Sequence, residues 1–438
     1  MTTLLPCFER PGYFADANCK IALVGFGTVG SAVVRLLYAR SDEHSLQLTH
    51  VCNRRVARKK VNWIPPEVMW TEDIEDVLAS DVDVVVELMG GLEPAHELVR
   101  RALQSGKSVV TANKQLIAHF GSELLQLAWD RGQSLNFGAC VAGGVPVLSG
   151  LRDGLAGDRL TEVCGILNGT CNCILTSIEQ GSMSFAEALA EAQRAGFAEA
   201  DPADDIDGFD AGAKLVILAR VGLNLELRPG QVTCRSIKNV RALDFEYAHE
   251  LGCTIRQVST ARINQGKVSA VVEPSLVPKE SPLARVSGSE NLVVSSGEFG
   301  GDIAFSGPGA GGNPTAVAVV SDLLQAVRHR SNGSERPHRP GAVSREITSD
   351  LELPQYVRFV VRDRPGIIAA LAGVFSAHHI NIDAVLQKPG YAKAELPFVI
   401  TLEPCPECRL TPALAEIANF DFLADTPVRM PILKQELA

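Results

Sequence analysis

Along residues 20–135, short apolar runs alternate with segments of helical spacing. Ile21–Val24, Val82–Val86 and Ser108–Thr111 are nearly continuous in aliphatic side chains, as expected of strands covered on both faces of a parallel sheet. A further strand is predicted over Leu46–Val51. Thr28–Tyr38 and Pro94–Ser105 space their apolar residues as crossover helices do. The alternation predicts a doubly wound α/β domain over residues 1–135.

The pattern changes over residues 136–328. Gly- and Asn-rich segments alternate there with helices and with period-two strands such as Leu292–Ser296. Ser184 with Glu187 three residues on is a capping-box sequence, and the helix it starts is predicted to end at Gly196. This region is expected to be α+β. Over 329–350 apolar periodicity gives way to Pro, Gly, Ser and Arg, the composition of a linker. Residues 351–438 resume the strand and helix patterns, enough for one small βαββαβ module.

Hydrophobic residues make up 46% of the chain and charged residues 21%, which supports packed cores. The net charge of -10 disfavours a general nucleic-acid binder, which needs a basic face. No run approaches the roughly 20 apolar residues of a membrane span, and the N-terminal stretch lacks the apolar core of a signal peptide. A cytoplasmic location is expected, with the 11 cysteines as structural free thiols.

Three groups of residues carry chemistry. Gly25-Phe26-Gly27-Thr28-Val29-Gly30 directly follows the first strand and opens a helix. In that setting the glycines permit a tight turn and close approach to a pyrophosphate, and the helix start offers N–H donors, so the domain reads as Rossmann-type. No acid stands at the end of the second strand, Cys52-Asn53-Arg54-Arg55, to hold a ribose 2′-hydroxyl. Arg54 and Arg55 suit a 2′-phosphate instead, which favours NADP while leaving NAD open. A solvated basic turn is the alternative.

The second group is Glu87-Leu88-Met89-Gly90-Gly91 with Thr111-Ala112-Asn113-Lys114. Both segments follow sheet strands, whose carboxyl ends bind ligands in such folds, so Lys114 is expected to face the nicotinamide. The third comprises Leu167-Asn168-Gly169-Thr170-Cys171-Asn172 and the acidic run Glu199 to Lys214. In that run Pro202 interrupts the preceding helix, and Asp210 and Lys214 stand four apart on one face of the next. Spacing alone also allows an ordinary surface ion pair.

Together with GPGAGGNPTAVAVVSDL at 307–323, these motifs make residues 20–328 resemble homoserine dehydrogenases. The segment from Val360 through the Asp363-Arg364-Pro365-Gly366 turn to Ile382 resembles the start of an ACT domain. The resemblance implies reversible NAD(P)-linked interconversion of L-homoserine and L-aspartate 4-semialdehyde, and a catalytic and dimerisation domain over 136–328. It implies Lys214 as proton donor and acceptor, Asp210 as its acidic partner, and Lys114 beside substrate and nicotinamide. It further implies that Gly169, Thr170, Glu199 and Asp205 contact substrate and that Gly90 and Gly309 contact the cofactor. Phe137–Pro146 resembles a sodium loop ligating through the main-chain oxygens of Val141, Gly143 and Val145. Gly138 departs from that pattern, standing where relatives often carry Glu. The C-terminal module implies an amino-acid effector, threonine, and a homodimer or homotetramer. Two other readings compete: another NAD(P)-dependent oxidoreductase of small amino or hydroxy acids, and an amino-acid sensor with an inactive dehydrogenase domain.

Overall fold

The computed structural model describes residues 18–42, 44–332, 341–348 and 351–433. The chain divides into two units. The first holds the described residues up to Gly144 together with Gly311–Gly341, and the second holds Val145–Ala310 and the rest from Ala342.

In the first unit six parallel strands form one sheet: β1 (Cys19–Val24), β2 (Leu46–Cys52), β3 (Met69–Thr71), β4 (Val84–Glu87), β5 (Ser108–Thr111) and β6 (Leu135–Asn136). Their order, β3-β2-β1-β4-β5-β6, reverses between β1 and β4. This is the doubly wound arrangement expected from the apolar runs, and the carboxyl ends at that reversal are where such folds bind ligands. Helix Thr28–Ala39 buries Val33, Val34 and Leu37 against β1.

Helix Gly312–Asn332 also belongs to this unit. Its Ala316, Val319, Val320, Leu323, Ala326 and Val327 recur every three to four residues and enter the same core as β1. The helix runs on through His329 to Asn332, because no residue there breaks it and basic side chains favour a helix C-terminus.

The second unit is built on β7 (Leu160–Ile166), β8 (Thr233–Cys234), β9 (Cys253–Asn264), β10 (Lys267–Pro278), β11 (Glu290–Gly297) and β12 (Gly301–Pro308). They form a mixed sheet in the order β12-β11-β7-β9-β10-β8. Helix Phe185–Arg194 starts with the predicted capping box, in which the Ser184 hydroxyl and Glu187 bond reciprocally.

Of the predicted linker, residues 333–340 and 349–350 lie outside the described residues. Gly341–Thr348 runs along the mixed-sheet region through main-chain bonds. The Val343 N–H donates to Asn224, Val343 accepts from Glu226, and the Thr348 N–H donates to Val268. A segment without apolar periodicity is thus tied down largely by its backbone, with an ion pair between Glu346 and Lys267 beside it.

The module after it has β13 (Leu353–Val361), helix Ile367–Ala377, β14 (Ile382–Leu386), β15 (Leu396–Cys405), helix Glu407–Ile417 and β16 (Val428–Pro431). The strands form an antiparallel sheet ordered β14-β15-β13-β16, the expected βαββαβ module. One core cluster includes Tyr356, Val399 and Met430 of this module with Cys171, Ile206 and Tyr247 of the mixed-sheet region. The two therefore share a hydrophobic core.

Candidate functional site

Gly25 follows β1 with φ +105, a conformation that L side chains rarely adopt, and a Cβ there would lie 2.5 Å from the Leu88 carbonyl oxygen. A Cβ on Gly30 would lie 2.3 Å from the Gly25 oxygen, whereas one on Gly27 would meet nothing. Two glycines therefore close the turn and the third leaves its outer side open. The Phe26 N–H is held by the Asn53 Oδ1 at 3.0 Å. Asn53 occupies the strand end where an NAD-selective acid would stand, and it supports the turn. Arg54 and Arg55 are exposed, as are Arg58, Lys59 and Lys60. Thr28 and Val29 begin the helix, and Gly312 packs against Thr28, where a Cβ would lie 3.1 Å from its methyl group.

Glu87, the last residue of β4, is fully buried. Its Oε1 accepts from the N–H groups of Met89 (2.8 Å) and Gly90 (3.3 Å), and its Oε2 accepts from the Thr111 hydroxyl (2.5 Å). Burial pushes its pKa up, against the pull of these donors. Asn113 caps helix Lys114–Arg131 by accepting from the Leu116 N–H, and its amide donates to the Gly91 carbonyl at 2.6 Å. Lys114 is the first, partly buried residue of that helix.

In the second unit, Asn168 follows β7 and caps helix Gly169–Gly181 through the Cys171 N–H. Its amide nitrogen donates both to Asp205 (2.6 Å) and to Asp210 (2.9 Å). The Lys214 Nζ donates to Asp210 Oδ2 and to the Leu167 carbonyl, each at 2.7 Å. The expected one-face pairing of Asp210 and Lys214 is therefore present, within a chain of bonds running from Asp205 to Lys214. Burial raises the pKa of Asp205, with the Asn168 amide opposing. Thr170 donates its hydroxyl to the Phe197 carbonyl at 2.8 Å. Gly169 lies so close to Ser289 that a Cβ would come 2.9 Å from that residue's carbonyl oxygen. Glu199 is exposed, and its carbonyl accepts from Gln193. A Cβ on Gly309 would overlap the Asn291 side chain, so this glycine is fixed by packing.

Glu87 and Asn168 stand in segments singled out from sequence, yet no role had been assigned to either. The sequence carries a signal in both places: Glu87 is a polar residue ending an apolar strand before a glycine-containing loop, and Asn168 is a capping residue just past an apolar strand and directly before the glycine that opens a helix.

The segment at 137–146 carries Ala142 and Gly143 with positive φ (55 and 53). At Gly138, the position that lacks the acid, the N–H donates to the Asp322 carboxylate at 2.7 Å, and a Cβ would lie 2.8 Å from that carboxylate. An acid from helix Gly312–Asn332 thus occupies space beside Gly138. Val141 is buried, and the Val145 carbonyl accepts from the Val147 N–H. In the C-terminal module, Gly366 (φ +94) precedes helix Ile367–Ala377, Arg364 pairs with Asp421, and the Asn381 amide donates to Glu403.

Comparison with known proteins covers most of the chain. The family described as homoserine dehydrogenase matches residues 146–324, its NAD binding domain matches 25–137, and the ACT domain matches 355–407. The homoserine dehydrogenase of Mycobacterium tuberculosis is 40% identical over 84% of this chain and 86% of its own length. That of Pseudomonas aeruginosa is 35% identical over 94% of this chain and 98% of its own. Among solved structures, a homoserine dehydrogenase from Thiobacillus denitrificans superposes with a TM-score of 0.89 at 32% identity, covering 96% of this chain and 99% of that one. A hyperthermophilic archaeal homoserine dehydrogenase in complex with NADPH gives 0.62 at 28% identity, over 73% of this chain and 99% of its own.

Proposed function

The chain belongs to the homoserine dehydrogenase family, NAD(P)-dependent oxidoreductases interconverting homoserine and aspartate semialdehyde, and we propose that Lys214 is its proton donor and acceptor. The observation that carries this reading is the bond chain Asp205–Asn168–Asp210–Lys214. An ammonium has three N–H donors, and Asp210 and the Leu167 carbonyl take two of them. The third suits the oxygen of the substrate's carbonyl or hydroxyl, whose developing charge Lys214 stabilises and then neutralises with a proton. Asp210 holds the lysine aimed. Asp205 and Glu199 take the substrate ammonium through charge-assisted bonds, and Gly169 and Thr170 contact its carboxylate end. Lys114 lies beside substrate and nicotinamide. The nicotinamide, when bound, gives or takes the hydride.

NADP is the preferred cofactor in this reading, held at its 2′-phosphate by Arg54 and Arg55, with Gly90 and Gly309 also touching it. Support comes from the engagement of Asn53 with the glycine turn. A sodium ion takes the carbonyl oxygens of Val141, Gly143 and Val145. The Asp322 carboxylate beside Gly138 supplies the negative charge that a Glu would have brought. The ACT domain takes threonine at the Asp363–Gly366 turn, where a helix start offers N–H donors to a carboxylate. The enzyme works in the cytoplasm as a homodimer or homotetramer. Among the described residues no helix is long and apolar enough to cross a membrane.

The test is to follow formation of reduced nicotinamide by the purified chain with homoserine and either NADP or NAD. No turnover with either would end the reading of the reaction, and preference for NAD would end that of the basic turn. Calorimetry with threonine tests the effector. Asp363→Ala should weaken threonine binding and inhibition together, and equal sensitivity to threonine would place the inhibitor elsewhere.

A further inference from the structure

Two loops of the first unit meet at one buried carboxylate. Glu87 ends β4 in register with Val24 of β1 and Thr111 of β5, under the strand ends that precede the glycine turn and Lys114. A buried carboxylate is costly unless donors surround it. Here the donors come from two different segments. Met89 and Gly90 belong to the loop after β4, and the Thr111 hydroxyl to the end of β5. That hydroxyl in turn accepts from the Asn113 N–H at 2.9 Å, and Asn113 caps the helix that Lys114 begins while its amide reaches back to Gly91. The bonds form a closed circuit: Glu87, Thr111, Asn113, Gly91 and back along the chain.

The circuit therefore sets the Gly90–Gly91 loop and the start of the Lys114 helix relative to each other. Gly90 and Gly91 both have φ +74, and a Cβ on either would meet nothing, so the loop's shape rests on its backbone bonds. If Glu87 only joined strands, donors from the neighbouring strand backbones would suffice. Its Oε1 instead faces the loop after β4, and its Oε2 takes the Thr111 hydroxyl, which links the end of β5 to Asn113.

We infer that Glu87 is a positioning residue that holds Gly90 and Lys114 in the geometry for the nicotinamide end of the cofactor. The inference rests on the reading that Lys114 and Gly90 serve the nicotinamide. Glu87→Gln keeps shape and volume, but it places an NH₂ donor against the Thr111 hydroxyl or against the Met89 and Gly90 N–H groups. Thr111→Val breaks the circuit from the other side, and Thr111→Ser retains the hydroxyl.

The experiment uses the full chain and compares each variant with Lys114→Ala. It measures the kcat and KM of the cofactor, and the dissociation constant of adenosine 2′,5′-bisphosphate and of AMP, probes of the adenine half alone. A displaced reacting group costs up to about 10²-fold in rate. E87Q and T111V are expected to lose roughly that much in kcat/KM while binding the adenine-half probes as the parent does, and T111S to recover most of the T111V loss. Unchanged kcat/KM in folded E87Q, alongside an impaired K114A, would overturn the inference alone. A K114A with unchanged kcat/KM would instead overturn the reading it rests on. Equal loss of the adenine-half probes would show that Glu87 supports the whole domain, and it too would overturn the inference.

Discussion

The second unit contains two aspartate–cation pairs of similar geometry and different surroundings. Asp210 and Lys214 are 2.7 Å apart, with side chains 9% and 14% exposed. Asp244 and Arg358 are 2.5 Å apart, at 0% and 1%. The Asp244 carboxylate also accepts from the Tyr356 hydroxyl and the Arg241 N–H, and Arg358 reaches the Asn239 carbonyl as well. That pair is sealed from solvent, and it joins β13 of the ACT domain to helix Ala242–Glu250. Lys214 keeps some exposure and one donor beyond its two bonds. Charge and distance do not separate a structural pair from a chemical one, but residual access does.

The largest effect is expected at the sealed pair. Removing one partner of a buried ion pair costs about 3–5 kcal/mol, because the other charge is left without compensation. Asp244→Ala or Arg358→Ala should therefore lower the denaturation midpoint sharply. A chain ended after residue 348 should fare worse, since it also strips Tyr356, Val399 and Met430 from the shared core. Melting followed by circular dichroism checks both, and a truncated chain as stable as the parent would show that the ACT domain is a separable appendage.

Smaller effects are expected at the open pair's supports. Asn168→Ala removes the donor shared by Asp205 and Asp210. Hydrogen bonds to charged groups contribute about 1.5–3 kcal/mol, so kcat/KM for homoserine should fall roughly 10- to 100-fold. Steady-state kinetics on the folded variant decides it, and a normal value would remove Asn168 from the site.

Asp205, at the other end of the open pair's bond chain, is expected to respond to pH. Burial raises its pKa, so on acidification it takes its proton earlier than an ordinary aspartate and loses its grip on an ammonium. The KM for homoserine should rise on the acid side at a pH above the usual aspartate range of about 3.9. Asp205→Asn should remove that acid limb at the cost of a higher KM throughout. An unchanged limb would assign it to another group.

The smallest change is expected on the exposed surface of the first unit. Replacing Arg54 and Arg55 by neutral residues should weaken NADP more than NAD by about tenfold, or roughly 1.4 kcal/mol. Titration of both cofactors tests it, and equal losses would show that the basic turn reads no phosphate.

What could be read in advance follows the range of the contacts. The glycine turn and the Asp210–Lys214 pair are local, and their spacing predicts them. β5 is predicted to the residue because apolar continuity marks a strand buried on both faces. Asn168 meets Asp205 and Asp210 from 37 and 42 positions away, and Arg358 meets Asp244 from 114 away. No periodicity reports pairings of that length. The helix Gly312–Asn332 is not among the elements predicted, its sequence entering only as a motif of the family resemblance, and its membership of the first unit depends on a core that only the folded chain defines.

The most direct test of the account is to measure kcat and the melting midpoint side by side for Lys214→Ala and Arg358→Ala. The two variants are expected to cross. Lys214→Ala should lose about 10²–10⁴-fold in kcat, the usual contribution of an acid–base group, while melting near the parent. Arg358→Ala should melt far below the parent while keeping near-normal turnover per folded molecule at low temperature. A Lys214→Ala protein that turns homoserine over normally, or that loses activity only because it unfolds, would contradict it.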